Sequence, residues 1–228
     1  MTFFLADVVP WGRSYDEYIR FFDLGAHDLD RLIIGCADGP ASFNSELTAS
    51  GGSVVSCDPL YRFTRDEIIA RIEQCYPEIR EQVGRNQELF VWDSVSSPEE
   101  LAKIRHSAMR LFLADFVTGR QEGRYCDAAL PYLPFSDDHF DLALCSHFLF
   151  YYTDIISESF HRAAILEMLR VAREVRIFPL VDLNGRMSRY RDAIAVDLNN
   201  DGFEVEIRTV PYEFIRGGNQ VMIISRIS

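Results

Sequence analysis

The sequence predicts an α/β fold, built on a doubly wound and mostly parallel sheet of seven strands. Three observations predict it: short apolar runs alternate with amphipathic helical stretches, a glycine-rich turn follows the first run, and two runs without a helix between them close the chain. Alternating strands and helices produce a parallel sheet that helices cover on both faces. The two closing strands imply that the last strand pairs antiparallel.

The first predicted unit is a strand, a turn, a helix and a second strand. The apolar run 31–34 is the first strand, and it ends in the glycine-rich turn 35–40. Residues 41–50 form a helix with one apolar face, because their large apolar residues lie four positions apart. The second strand, 53–57, ends at Asp58. A unit of this size is expected of a parallel crossover connection.

The stretch 64–116 is unusually long for a connection between two strands. Its pattern indicates two amphipathic helices, and the second begins at a capping-box pattern, Ser97 followed by Glu100. No linker rich in Pro, Gly or Ser bounds the stretch. We therefore expect a helical insertion packed on a single domain that spans 1–228.

The second half of the chain continues the alternation and ends in a hairpin-like signal at Gly217-Gly218-Asn219. The remaining strands are predicted at 125–128, 140–145, 175–178, 205–210 and 221–225, and the remaining helices around Met168 and over 188–199.

Residues 1–29 precede the first strand and are expected to form an N-terminal cap segment. Their aromatic residues Trp11, Tyr15 and Tyr18 either cover a bound ligand or pack on the sheet. The sequence leaves both alternatives open. The apolar start of the segment lacks the basic and small-residue features of a signal peptide.

Charge and cysteine usage narrow the classes of partner. The formal net charge of −12 repels phosphate backbones and anionic lipids, and the arginines form no cluster, so we expect neither nucleic acid nor membrane as a partner. A small-molecule substrate is the expected partner. The cysteines lack CxxC spacing, which favours reduced thiols in a cytoplasmic protein and no metal site. They are Cys36, Cys57, Cys75, Cys126 and Cys145.

Ligands of doubly wound sheets bind beyond the carboxyl ends of the strands. There, the turn 35–39 lets the backbone approach a ligand without a bulky side chain between them. Asp58 ends the second strand, 19 residues after Gly39, where a carboxylate can accept hydrogen bonds from both hydroxyls of a ribose. Asp127 ends the third strand, where an adenine amino group could donate to it. Asp115 is the rival acid, but it falls at the end of a predicted helix, so we prefer Asp127.

These residues, together with the segment Leu133-Pro134-Phe135-Ser136-Asp137-Asp138-His139-Phe140-Asp141-Leu142, resemble the class I (Rossmann-like) family of S-adenosylmethionine-dependent methyltransferases. The resemblance covers about 30–227. It implies a Rossmann-like seven-stranded sheet and S-adenosyl-L-methionine as the cofactor. It also implies the cofactor-binding residues: Gly35, Ala37 and Gly39 at the methionine part, Asp58 at the ribose, and Asp127 and Ala128 at the adenine. Cys36 and Pro59 are expected to contact the cofactor as well.

Two positions depart from the family's pattern. The family usually has an acidic residue two positions before the first glycine and a glycine in the middle of the turn, where this chain has Ile33 and Ala37. These departures motivate an alternative, a non-catalytic cofactor-binding or scaffold protein with the same fold. A nicotinamide-dependent oxidoreductase would need Gly-x-Gly-x-x-Gly, but positions 35, 37 and 40 are Gly, Ala and Pro.

His147 is the candidate catalytic residue. It follows the fourth strand at the ligand end of the sheet, where the resemblance implies the methyl acceptor, and an imidazole there could act as a base. Cys145 is expected to be a small buried hydrophobe, and Tyr151 and Tyr152 share the neighbourhood of His147. The Asn-Pro-Pro-aromatic pattern of relatives that methylate bases and amides is absent, since 145–148 read Cys-Ser-His-Phe. This absence favours a small-molecule acceptor.

Overall fold

The computed structural model describes residues 9–93 and 95–227. Its strands are β1 (Leu32–Cys36), β2 (Ser53–Cys57), β3 (Tyr125–Cys126), β4 (Phe140–Ser146), β5 (Ala172–Phe178), β6 (Phe203–Thr209) and β7 (Gln220–Arg226). They form one sheet in the order β3-β2-β1-β4-β5-β7-β6, in which β7 runs antiparallel to both neighbours. The predicted α/β fold class is confirmed, and the sheet has the Rossmann-like arrangement that the resemblance implies.

Helices connect the parallel strands, and side chains cap the longer ones. Thr64 closes a capping box with Glu67, whereas Ser97 accepts from the backbone N–H of Glu100 while the Glu100 carboxylate accepts from Ser96 instead. The helices are α1 (Tyr15–Phe21), α2 (Ala26–Leu29), α3 (Phe43–Ala49), α4 (Arg65–Arg85), α5 (Pro98–Gln121), α6 (Glu158–Val171) and α7 (Arg191–Asn200).

The sheet has a hydrophobic core on each face because neighbouring residues of a strand point to opposite sides. Ile33 is buried in one core with Phe43 of α3, and Ile34 is buried in the other with Met168 of α6. The position at which the resemblance implies an acid is therefore a core position here, and Ile33 is completely buried.

The stretch predicted as a helical insertion contains α4 and most of α5, which pack against each other. A third apolar cluster, which includes Ile68, Phe112 and Tyr125, joins these helices to β3. Helix α5 also packs on α3. The cap segment predicted over 1–29 includes residues 1–8, which lie outside the described residues.

The two edges of the sheet differ from its centre. At one edge β3 is only two residues long. At the other edge β6 has half-buried and exposed positions, and Glu204, Glu206 and Ile207 are among the exposed ones. Four cysteines lie in one row across the carboxyl ends of β3, β2, β1 and β4, because Cys126, Cys57, Cys36 and Cys145 are successive register partners.

Over the described ranges, no helix has both the length and the apolar character required to cross a membrane.

Candidate functional site

A cavity of about 510 Å³ lies at the carboxyl ends of the five parallel strands. Its volume falls in the range of small-molecule sites. The N-terminal segment, α4 and the connection between β6 and β7 enclose it from outside. The strand-end residues in its lining are Ala37, Asp38, Gly39, Pro40, Asp58, Pro59, Leu60, Ala128, Ala129, Leu130, Ser146, His147, Phe148, Phe178 and Pro179.

Most of the residues predicted from the sequence meet in this cavity. Ala37, Gly39, Asp58, Pro59, Ala128 and His147 line it, whereas Gly35, Cys36 and Asp127 are not among its described lining residues. The contacts of each with a cofactor stay predictions. Gly35 and Cys36 belong to β1 and support the turn from below.

The glycine-rich turn is held in a left-handed conformation. Ala37 has a φ of +57° and Gly39 a φ of +54°. The N–H of Ala37 donates to the carbonyl of Cys57 across 2.8 Å, which ties the turn to the end of β2. A Cβ atom at Gly39 would meet no heavy atom within 4 Å, so this backbone faces open space. The unusual Ala37 therefore keeps a conformation that favours glycine.

We expect Ala37→Gly to raise the free energy of unfolding by about 0.5–1 kcal/mol, because relief of the left-handed strain exceeds the added entropy of the unfolded chain. Gly39→Ala is the matched control in the same turn and is expected to lower it by about 1 kcal/mol. Denaturant unfolding measures both. Loss of stability in Ala37→Gly would contradict the strain argument.

Asp38 is the acid of this turn, and no role for it was predicted from the sequence. Its carboxylate is buried and accepts from the hydroxyl of Tyr18 at 2.7 Å and from that of Ser56 at 2.6 Å. Burial raises the pKa of Asp38 to about 6, and the charge of Asp58 adds to the effect. In the sequence, only the position of Asp38 between Ala37 and Gly39 could have indicated this role. The direction of the Asp38 side chain depends on the positive φ of Ala37, which the sequence does not predict.

The raised pKa of Asp38 predicts a pH dependence of stability. The native state binds this proton more tightly than the unfolded chain, whose value is near 3.8. The contribution of this carboxyl group to the free energy of unfolding therefore decreases as the pH rises from the unfolded-state pKa to the native-state pKa. Relative to that of Asp38→Asn, the free energy of unfolding of the wild type should decrease by about 2 kcal/mol as the pH rises from about 4.5 to about 7.5. Urea unfolding at both pH values tests this, and a difference that is independent of pH would refute it.

Asp58 joins the ends of β1 and β2. Its carboxylate accepts from the backbone N–H of Gly39 at 2.9 Å and from that of Leu60 at 2.8 Å. Burial raises the pKa of Asp58, while these backbone donors and Arg62 oppose the rise. Each oxygen can still accept a second hydrogen bond from a ligand in the cavity.

The two candidate acids for the adenine end lie in different surroundings. Asp127 directly follows β3, is exposed and forms an ion pair with Arg62 at 3.3 Å. Asp115 lies inside α5, where it pairs with Arg124 at 2.7 Å and accepts from the hydroxyl of Tyr125. Asp115 thus has a structural role, and a contact of Asp127 with adenine stays a prediction.

His147 leaves the end of β4 with a φ of +50°. Its N–H donates to the carbonyl of Phe178 at 2.7 Å, and its Nδ1 lies 2.8 Å from Oγ of Ser146. Burial and then the charges of Arg13 and Arg105 lower the pKa of His147 well below its usual value. The imidazole is therefore neutral at physiological pH and can accept a hydrogen bond from a ligand.

Cys145 is completely buried, and burial raises the pKa of its thiol to about 12. Since the thiolate is the reactive form, this cysteine is a core residue and not a nucleophile. Within the described part of the chain, no group of three or more His, Cys, Asp or Glu side chains could hold a metal ion.

The aromatic residues of the N-terminal segment divide between the cavity and the hydrophobic core. Trp11 and Tyr18 line the cavity, whereas Tyr15 stacks on Phe43 at 5.6 Å and is not in the described lining. Arg13 also lines the cavity, and its carbonyl accepts from the N–H of Ser42 at 3.0 Å.

A buried ion pair fixes this segment. Glu17 accepts two hydrogen bonds from Arg105 of α5, one of 2.7 Å, and one of 3.0 Å from the hydroxyl of Tyr212. Arg105 holds the pKa of Glu17 at about 2 against the opposing effect of burial. One carboxylate thus joins the N-terminal segment, the stretch 64–116 and the β6–β7 connection.

Comparison with known proteins gives one close relative. The chain is 33% identical over 223 residues to the uncharacterized protein MJ0045 of Methanocaldococcus jannaschii, covering 97% of this chain and 98% of that protein. No protein-family model matches the chain.

Similar solved structures include magnesium protoporphyrin IX methyltransferase (ChlM) from Synechocystis PCC 6803 with bound SAM. It is 13% identical, with 93% of this chain and 78% of that chain covered and a TM-score of 0.49. A SAM-dependent methyltransferase from Methanosarcina mazei is 16% identical, with 87% and 93% covered and a TM-score of 0.46. At such identities and TM-scores, the likeness does not transfer the ligands or acceptors of those proteins to this chain.

Proposed function

This chain belongs to the same family as the M. jannaschii protein, and we propose that it is an S-adenosylmethionine-dependent methyltransferase acting on a small-molecule acceptor. The observation that carries the proposal is the meeting of Asp58, the left-handed turn 37–39 and His147 in one cavity at the carboxyl ends of the strands. Such a position is where doubly wound sheets bind nucleotides.

The residues at one end of the cavity fit an adenosyl cofactor. The Asp58 carboxylate can accept from ribose hydroxyls, and the open space over Gly39 lets a ligand approach the main chain. Asp38 and Asp58 bring negative charge to this end, which complements a sulfonium and an ammonium group. Asp38 thereby supplies near the turn the acid that Ile33 does not supply before it.

When bound, the cofactor supplies an electrophilic methyl group, so the protein has to align the acceptor and exclude water. Trp11, Tyr151 and Phe178 line the end of the cavity opposite the glycine-rich turn and exclude water from it. His147 presents a neutral imidazole there, which can hydrogen-bond an acceptor O–H or N–H and take its proton.

The acceptor is small for two reasons. The cavity of about 510 Å³ has to hold both the cofactor and the acceptor, and the net charge of −12 opposes binding of nucleic acid. Incubation with methyl-labelled cofactor and either an ultrafiltrate, RNA or protein from cell extract tests this. Label should enter the ultrafiltrate; label in RNA or protein alone would overturn the acceptor class.

Calorimetric titration with S-adenosylmethionine, S-adenosylhomocysteine and NAD tests the cofactor. We expect both adenosyl ligands to bind and NAD not to bind. Asp58→Ala should weaken binding by about tenfold to hundredfold, the effect of losing hydrogen bonds to a charged group. Asp115→Asn is the control, since Asp115 lies inside α5, and should leave the affinity unchanged. Failure of the wild type to bind either adenosyl ligand would refute the proposal.

A further inference from the structure

Arg13 brings a positive charge into the cavity that no described carboxylate neutralises. None of the ion pairs among the described residues involves Arg13, and its Nε is buried without a hydrogen-bond partner. Glu17 lies within electrostatic reach, but its carboxylate is already taken by Arg105 and Tyr212. The buried Arg105 and the half-buried Arg13 thus share one carboxylate, and one positive charge is left over.

The acids on the opposite side of the cavity do not supply the missing charge. Asp38 accepts from Tyr18 and Ser56, and Asp58 accepts from two backbone N–H groups. Arg13 is half-buried and hydrogen-bonds the neutral hydroxyl of Tyr151, so its charge has no carboxylate partner. Removing such a charge from water is costly, and the cost is relieved when an anion binds.

The surroundings of Arg13 indicate the kind of anion. Its charge acts on His147, Tyr151 and Tyr212, which lie after β4 and in the β6–β7 connection. It also acts on Tyr18, whose hydroxyl donates to Asp38 of the glycine-rich turn. The rest of this end is apolar and includes Trp11 and Phe178. A guanidinium fork matches a carboxylate in shape and charge, and aromatic side chains suit an apolar or aromatic body.

We propose that Arg13 binds the carboxylate of the methyl acceptor, so that the acceptor is a small carboxylic acid with an apolar or aromatic body. This assignment rests on the proposed methyltransferase function. The cofactor's own carboxylate is the other possible source of the same chemistry, and the experiment separates the two sources.

The experiment compares carboxylates with neutral amides of the same shape. Benzoate and phenylacetate, each beside benzamide or phenylacetamide, are titrated into wild type, Arg13→Gln, Arg13→Lys and Arg20→Gln, with and without S-adenosylhomocysteine. Arg20 is the matched control: its Nε also lacks a partner, but it stacks on Tyr212 at 4.9 Å and is not in the described cavity lining.

The wild type and Arg20→Gln should prefer the carboxylates by about tenfold or more, the usual effect of a charged hydrogen bond. Arg13→Gln should lose this preference, and Arg13→Lys should keep part of it because it retains the charge. Thermal melting confirms that each variant is folded. Absence of any carboxylate preference in the wild type would overturn the proposal.

A second pair of ligands identifies the source of the carboxylate. S-adenosylhomocysteine carries an amino-acid carboxylate and methylthioadenosine carries none. Arg13→Gln should bind both as the wild type does; selective weakening of S-adenosylhomocysteine would assign Arg13 to the cofactor and overturn the proposal. If the wild type binds neither nucleoside, the methyltransferase function fails, and the titrations without nucleoside still show whether Arg13 binds carboxylates.

Discussion

Glu17→Ala is expected to lower the free energy of unfolding by about 3–5 kcal/mol, the usual effect of leaving a buried charge unpaired. Arg105 is 0% exposed and Glu17 is 4% exposed, so neither charge can turn to solvent. The variant also leaves the Tyr212 hydroxyl without its acceptor and removes half of the capping box at Ser14. Denaturant unfolding measures the loss.

The double variant Glu17→Met with Arg105→Met separates the charge effect from the packing effect. Both side chains are then apolar and of similar length, so most of the stability should return. A single variant that loses less than about 1 kcal/mol would mean that the pair is solvated in solution. Arg105 lowers the pKa of Glu17 to about 2. The ion pair's contribution to the free energy of unfolding is therefore present above about pH 4.5 and is lost as the pH falls from there towards about 2.

Gly35→Ala is expected to lower the free energy of unfolding by about 2–4 kcal/mol and to abolish cofactor binding. A Cβ atom on Gly35 would lie 1.8 Å from Oδ2 of Asp38. The carboxylate would have to leave its hydrogen bonds with Tyr18 and Ser56, and the turn would have to move with it. Unfolding and nucleoside titration measure the two effects.

Two variants make this test specific. Gly84→Ala, at an exposed position of α4 where a Cβ atom meets nothing within 4 Å, should stabilise the protein by about 0.5–1 kcal/mol. Adding Asp38→Gly to Gly35→Ala removes the colliding carboxylate and should restore part of the stability. If the double variant is no more stable than Gly35→Ala, the collision is not the cause.

Local patterns were sufficient to predict the sheet. The strands differ from their predicted ranges by a few residues: β5 begins at Ala172, three residues before its predicted start, and β3 is shortened to Tyr125–Cys126. Ala37, Gly39 and Asp58 were predictable as cavity residues because they lie in the turns that follow β1 and β2, and the carboxyl ends of parallel strands meet at one edge.

The missed residues depend on contacts between distant parts of the chain. Tyr18 reaches Asp38 across 20 positions, and Arg105 reaches Glu17 across 88. No periodicity in the sequence marks such pairs. The unpaired state of Arg13 is harder still to predict, since it follows from how every neighbouring carboxylate is engaged.

The two edges of the sheet affect how copies of this protein behave at high concentration. An exposed strand edge invites another chain to add to it, which leads to aggregation. The edge at β3 offers only two residues for pairing, and the edge at β6 carries the charged side chains of Glu204, Glu206 and Arg208, which disfavour the addition of another strand. The native protein should therefore stay in solution at concentrations at which a flat apolar edge would assemble.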